Sequence, residues 1–214
     1  MARTVAAFDL DGTLTRRDTL LPFLRRACGA NRTSRALLAE SLVLARALRG
    51  GAARDAAKAA VLAHLLRGED RARLEDAAEA FADAVVGGRL RPLVRERAEW
   101  HRQAGHELVV VSASPELYVA PLGRRLGFDA VLGTRLEVGP DGRLTGRIEG
   151  CNCRGQEKVE RLRAWMGPEP AFLYAYGDSA GDHELLAAAD VAVRVGRGPL
   201  PALPVQPLTG DARN

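Results

Sequence analysis

The chain has 214 residues, 47% hydrophobic and 27% charged, with a formal net charge of +4, a balance that suits one large globular domain or a core plus a smaller one. No apolar stretch approaches the roughly 20 residues of a membrane span, and Asp9 and Asp11 interrupt what would be the apolar part of a secretory leader, so no stable membrane insertion and a cytoplasmic location are expected. Basic residues are interleaved with acids and carry no interspersed aromatics, which argues against nucleic acid, and Cys28, Cys151 and Cys153 lack the spacing of a zinc site.

Taken in chain order, Val5–Phe8 is a short apolar run that fits a buried strand of a parallel sheet. It delivers Asp9-Leu10-Asp11-Gly12-Thr13-Leu14-Thr15. Positions i and i+2 of an extended strand share a face, so Asp9 and Asp11 project toward one site. Two carboxylates that close repel each other and call for a shared proton or a hard, oxygen-seeking cation such as Mg2+. Arg16-Arg17-Asp18 then leads into an amphipathic helix, Thr19–Cys28. Ser34 reads as the cap of a helix that runs to Leu48 and stops at Gly50-Gly51. Further helices follow at Asp55–Arg67, Asp70–Val86 and Leu90–Ala104. The next strand, His106–Ser112, comes about a hundred residues after the first, whereas a whole βαβ unit needs only about 30. An α-helical insertion at 16–90 is therefore expected to interrupt a core made of 1–15 and 91–214.

Ser112 ends its strand, and a hydroxyl with backbone amides entering a helix makes a phosphate cradle. Ser114 before Pro115 reads as the cap of a helix over Pro115–Leu126. Ala130–Leu132 is a third strand, and Arg135–Ile148 a hairpin about Asp141-Gly142. Lys158 falls in the first turn of a helix, Gln156–Trp165, where the helix dipole disfavours a cation. Of 31 basic residues only Lys58 and Lys158 are lysines, which singles both out. A fourth strand, Ala171–Tyr176, ends in Gly177-Asp178, with Asp182 four residues on. His183–Ala189 is helical, Val191–Val195 is a fifth strand, and the proline-rich tail from Gly196 reads as irregular. The fold class expected is α/β, a doubly wound parallel sheet with an inserted helical cap.

Asp9 through Thr15, Ser112, Lys158 and Gly177-Asp178-Ser179-Ala180-Gly181-Asp182 occur in order at strand and helix ends. They resemble the four motifs of the haloacid dehalogenase (HAD) superfamily of aspartate-nucleophile phosphohydrolases. An insertion after the first strand resembles the subgroup that holds phosphoserine phosphatases. The resemblance implies that Asp9 is the nucleophile and Asp11 the general acid and base. It implies that Ser112, the backbone of Gly12 and Ala113, and Lys158 receive the phosphoryl group. Mg2+ would be held by Asp9, the main-chain carbonyl of Asp11 and Asp178, with Asp182 supporting the site. By helix order, Lys58 and Asp18 take the places of the basic and acidic groups that grip the leaving group in phosphoserine phosphatases.

Ser-Ala-Ser at 112–114 departs from the usual Ser-Gly-Gly, which leaves the substrate open. A small anionic phosphorylated metabolite of the phosphoserine kind is expected. The alternative is a lipid phosphate of the phosphatidylglycerophosphate type, for which Leu37, Leu38, Leu42 and Leu44 with flanking arginines offer a membrane-facing surface. Receiver modules share an acceptor Asp, a Ser/Thr and a Lys, but lack both an acid at the position of Asp11 and a large insertion. The partner expected is a small phosphorylated substrate, bound by a monomer or homodimer.

Overall fold

The computed structural model describes residues 3–47, 52–196 and 198–202. Its strands are β1 (Arg3–Phe8), β2 (Glu107–Pro115), β3 (Ala130–Thr134), β4 (Leu136–Val138), β5 (Leu144–Ile148), β6 (Ala171–Gly177) and β7 (Val191–Arg194). Five of them form one parallel sheet in the order β3-β2-β1-β6-β7, and β4 and β5 make the expected hairpin. β1 is central, with β2 and β6 on either side. Chain order reverses beside β1, so the crevice at the carboxyl ends of β1 and β6 is the natural site for ligands.

Period-two alternation divides the core between the two faces of this sheet. Val5, Ala7, Val109, Val111 and Ala175 pack toward Leu162 of α8 (Gln156–Met166) and Leu185 of α9 (His183–Ala187). Ala6, Phe8, Val110 and Tyr176 face the other way, toward α6 (Pro92–Gln103) and α7 (Glu116–Arg125). Both faces are covered, which is why these strands read as continuous apolar runs.

Among the described residues, five α-helices intervene between β1 and α6: α1 (Leu20–Cys28), α2 (Ala30–Ala39), α3 (Ser41–Ala47), α4 (Ala52–Leu66) and α5 (Arg71–Val86). Asp70 caps α5 by accepting from the Arg73 N–H at 3.0 Å. The ingoing and outgoing segments lie side by side. Thr15 pairs with Leu90, the Arg16 N–H donates to Arg89 O at 2.9 Å, and the Arg91 N–H donates to Leu14 O at 2.8 Å. Phe23 of α1 stacks on Tyr118 of α7 with centroids 4.6 Å apart, and Phe81 of α5 meets Tyr118 edge-on at 5.7 Å. One apolar cluster thus runs from the sheet into the inserted helices.

Two expectations are corrected here. The helix read over Ser34–Leu48 is interrupted at Glu40, where φ is −91° and ψ 12°. α2 starts at Ala30 behind Gly29, fixed there by the Thr33 hydroxyl donating to Gly29 O at 2.8 Å, so Ser34 lies inside the helix and is not its cap. Leu48 and Gly50-Gly51 lie outside the described residues, as do Pro204 and Pro207 of the tail. Leu37 and Leu44 pack inward, while Leu38 and Leu42 stay 75% and 76% exposed. The second correction concerns Ser114: Pro115 both ends β2 and stands at the N-cap of α7, which leaves Ser114 on the strand and frees its hydroxyl for another task.

Behind the sheet, buried His101 shares a hydrogen bond with His106 (Nδ1 to Nδ1, 2.8 Å) and another with the Tyr176 hydroxyl (2.7 Å). Burial first, then the neighbouring His106 and Arg97, pushes the His101 imidazole down to about 3. An unfolded histidine protonates near pH 6.5, so the stability that neutral His101 contributes is complete above that pH and is lost as pH falls from 6.5 toward 3. Urea unfolding at pH 7 and pH 5 should therefore show a steeper acid loss for the wild type than for His101→Gln, by up to about 1.4 kcal/mol per pH unit below 6.5. Parallel profiles would assign the acid sensitivity to other groups.

Candidate active site

Asp9 is the first residue past β1, and its N–H donates to Tyr176 O at 2.9 Å, which sets its carboxylate at the carboxyl edge of the sheet. Lys158, in the first turn of α8, is buried, and its ammonium donates to Asp9 Oδ1 and Asp182 Oδ1, each at 2.6 Å. Asp182 is held from its other side, where Oδ2 accepts from the Ser179 N–H (3.0 Å) and hydroxyl (2.9 Å). The chain thus turns back sharply after β6 to aim Asp182 at the lysine. Gly12 has φ +86°, and a Cβ there would stand 2.1 Å from Asp178 Oδ2. Glycine meets both demands at once, a left-handed backbone and close approach.

Burial dominates the electrostatics. It pushes Asp9 up to about 7 even though Lys158 pulls the other way. Burial also opposes ionisation of Asp182, but Lys158 and Ser179 outweigh it and hold this carboxyl below its ordinary range. For Lys158, burial disfavours the ammonium, and Asp9 and Asp182 more than compensate. Asp178 is raised, first by burial and then by Asp182, and its Oδ1 is buried without a hydrogen-bond partner. Oxygens of Asp9, Asp178 and Asp182 lie within 4.8 Å of one another. An all-oxygen set with one orphaned buried carboxylate oxygen fits a hard divalent cation.

Asp11 sits apart from the lysine. Its Oδ1 accepts from the Thr19 N–H (2.7 Å) and hydroxyl (2.6 Å), and its Oδ2 accepts from the Ser114 hydroxyl at 2.6 Å. The Tyr118 hydroxyl backs Thr19 at 3.0 Å. Burial, then Asp18, raises Asp11, while Ser114 and Thr19 act against the rise. Ser112 is buried, and its Oγ accepts from the Ser114 N–H at 3.1 Å. Thr19, Ser114 and Tyr118 were not among the residues expected. The one local signal was Thr19, a hydroxyl at a helix start.

Asp9, Asp11, Ser112, Ser114, Lys158 and Asp182 line a cleft of about 160 Å3 that also takes in Asp18, Lys58, Ala113 and Arg154. Asp18 is exposed, and its Oδ1 accepts from the Leu20 N–H at 3.0 Å, so it caps α1 at the rim. Lys58 reaches across from α4. Its ammonium donates to the Ala113 carbonyl, to Asn152 Oδ1 at 2.6 Å and to Thr134 Oγ1 at 3.3 Å. Asn152 in turn donates to Asp55 at 2.6 Å. Burial pulls Lys58 down to about 8. Ala113 thus enters through a carbonyl that is already engaged. A larger groove of about 900 Å3 beside Trp100 and Phe128 contains none of these groups.

A family model for haloacid dehalogenase-like hydrolases matches residues 6–187. The protein CicA of Caulobacter vibrioides is 41% identical over 186 residues, which cover 87% of this chain and 83% of its own. A probable phosphatase of Mycobacterium tuberculosis is 33% identical over 198 residues, covering 87% and 67%. Among solved structures, a phospho-aspartyl intermediate analogue of phosphoserine phosphatase superposes with a TM-score of 0.60 at 22% identity, over 91% of this chain and 87% of that one. Fold and site together define a doubly wound hydrolase with a helical cap. The chain belongs to the haloacid dehalogenase-like hydrolases, with a cap like that of the phosphoserine phosphatases, and is a phosphatase.

Removing the lysine tests the charge balance directly. Lys158→Met leaves Asp9 and Asp182 buried without their cation, and should cost roughly 3–5 kcal/mol in urea unfolding measured with chelator present. A loss below about 1 kcal/mol would mean that the lysine contributes little to holding the site together.

Proposed function

We propose that the protein is a Mg2+-dependent phosphomonoester hydrolase that works through an aspartyl-phosphate on Asp9 and acts on a small anionic phosphorylated metabolite. The observation that carries this reading is the contrast between two acids two residues apart. Asp9 is held by an ammonium at 2.6 Å, and Asp11 only by hydroxyls and one amide. Environments that differ in this way assign a nucleophile and a proton carrier.

Asp9 attacks phosphorus in line, forming the acyl-phosphate bond as the bond to the leaving oxygen breaks. Asp11 gives its proton to that oxygen, then takes one from the water that attacks the acyl-phosphate and releases Asp9 and phosphate. The raised Asp11 carboxyl is suited to carry that proton. Ser112, Lys158 and backbone amides near Gly12 receive the transferring oxygens. Asp9, Asp178 and the Asp11 main-chain carbonyl would hold Mg2+, which when bound would supply positive charge that favours ionised Asp9 and offsets the phosphoryl charge. Asp182 acts through Lys158, since both of its oxygens are engaged. The small cleft supports a compact substrate over a lipid, because ligand pockets usually span roughly 300–1,000 Å3. Exposed Leu38 and Leu42 favour the lipid phosphate as the second reading.

Asp9→Asn should abolish turnover with the fold intact. Asp11→Asn should slow both half-reactions and let a phosphorylated enzyme accumulate, visible by intact mass. Wild-type turnover by Asp9→Asn would overturn the assignment. Activity should disappear in excess EDTA and return with Mg2+, and full activity in chelator would remove the metal from the reading. A panel of phosphorylated metabolites and anionic lipid phosphates then separates the two substrate classes.

A further inference from the structure

Three cations line the cleft, and two of them are committed. Lys158 is held by Asp9 and Asp182. Lys58 spends its three N–H donors on Ala113, Asn152 and Thr134. Arg154 is the third. It is half-buried in the wall of the cleft, and among the described residues its guanidinium has neither a hydrogen bond nor an ion pair. Its five donors are therefore available, in the planar fork that matches a carboxylate or phosphate in a two-point grip.

Arg154 is also held in position. Its N–H donates to Asn152 O at 2.7 Å, and the next amide, Gly155, donates to Gly181 O at 2.9 Å, which ties this loop to the turn that carries Ser179 and Asp182. The side chain lies against that turn. A Cβ on Gly181 would stand 3.1 Å from Arg154 Nε and 3.2 Å from its Cγ. Glycine at 181 leaves the space in which the arginine stem rests, so part of its ordering cost is met before any ligand arrives.

We propose that Arg154 binds a second anionic group, a carboxylate or a second phosphate, on the leaving part of the substrate, and so selects phosphomonoesters with two anionic ends. This rests on reading the cleft as a phosphomonoesterase site, where Ser112, Lys158 and the cation already serve the transferring phosphoryl group. It moves the recognition expected of Lys58 to a residue that has donors to spare.

Steady-state kinetics of the full chain with Mg2+ test it on two probes of similar size, phosphoglycolate with a carboxylate end and ethyl phosphate with a neutral one. Arg154→Ala should raise KM for phosphoglycolate about tenfold or more, and change KM and kcat for ethyl phosphate less than twofold. Arg154→Lys should recover part of the loss, as a point charge without the fork. Unchanged ethyl phosphate kinetics also show that the variant is folded. Equal losses on both probes would place Arg154 on the phosphoryl group and overturn the proposal, and so would no loss on either. Failure of the phosphatase reading shows separately, as a wild type inactive on both, and takes the proposal with it.

Discussion

One buried ammonium between two carboxylates organises this molecule. Lys158 joins the end of β1 to the turn after β6 through two contacts of 2.6 Å, in a place where water cannot screen any of the three charges. Such a triplet is stable only if its geometry is kept, so the start of α8, the end of β1 and the 179–182 turn are mutually fixed. It is also incomplete. One lysine cannot neutralise Asp9, Asp178 and Asp182 together, and the oxygen left without a partner on Asp178 is where the deficit appears. The acidic cluster therefore carries more negative charge than its lysine can balance, and Gly12 lets the backbone pass close beside Asp178.

The same strand end creates a second environment less than one turn away. Asp11 is served by hydroxyls from Thr19 and Ser114, which come from the inserted helices and from β2. Hydroxyls can donate to a carboxylate or accept from a carboxylic acid, so both protonation states of Asp11 find partners without side-chain rearrangement. An ammonium could not do this. The chemistry therefore follows from which polar group the fold brings to each acid, since the two acids are alike.

What the sequence revealed and what it concealed divide along contact order. Strands showed as apolar runs, and Asp9, Asp11, Lys158, Asp178 and Asp182 showed because strand ends and first turns are local features with local spacing. Ser114 was misread because its local context, a serine before a proline, is that of a helix cap. Its actual partner lies 103 residues away. Thr19 and Tyr118 meet across 99 residues, and Lys58 and Asn152 across 94, separations at which no periodicity speaks. The break at Glu40 was equally hidden, because both halves of the span have acceptable helix formers and only packing of Leu37 and Leu44 distinguishes one long helix from two.

The paired segments at Thr15 and Leu90 have a mechanical meaning. The inserted helices are tied to the core by two adjacent chains, hydrogen-bonded to each other at 2.9 and 2.8 Å, and again at the β4–β5 hairpin, where the Gly68 N–H donates to Leu144 O at 2.8 Å and the Leu144 N–H to Glu69 O at 2.9 Å. Two such ties define a line, and a small tilt over the cleft about that line is the motion they resist least. The aromatic seam of Phe23, Phe81 and Tyr118 limits the amplitude, because a wide swing would part stacked rings and expose them to water. Small rotations that slide the rings past one another are cheap, and large ones are not. Because Lys58 and Thr19 belong to the inserted segment while Ala113 and Asp11 belong to the core, such a tilt would reset the hydrogen bonds around Asp11 without disturbing the contact between Lys158 and Asp9.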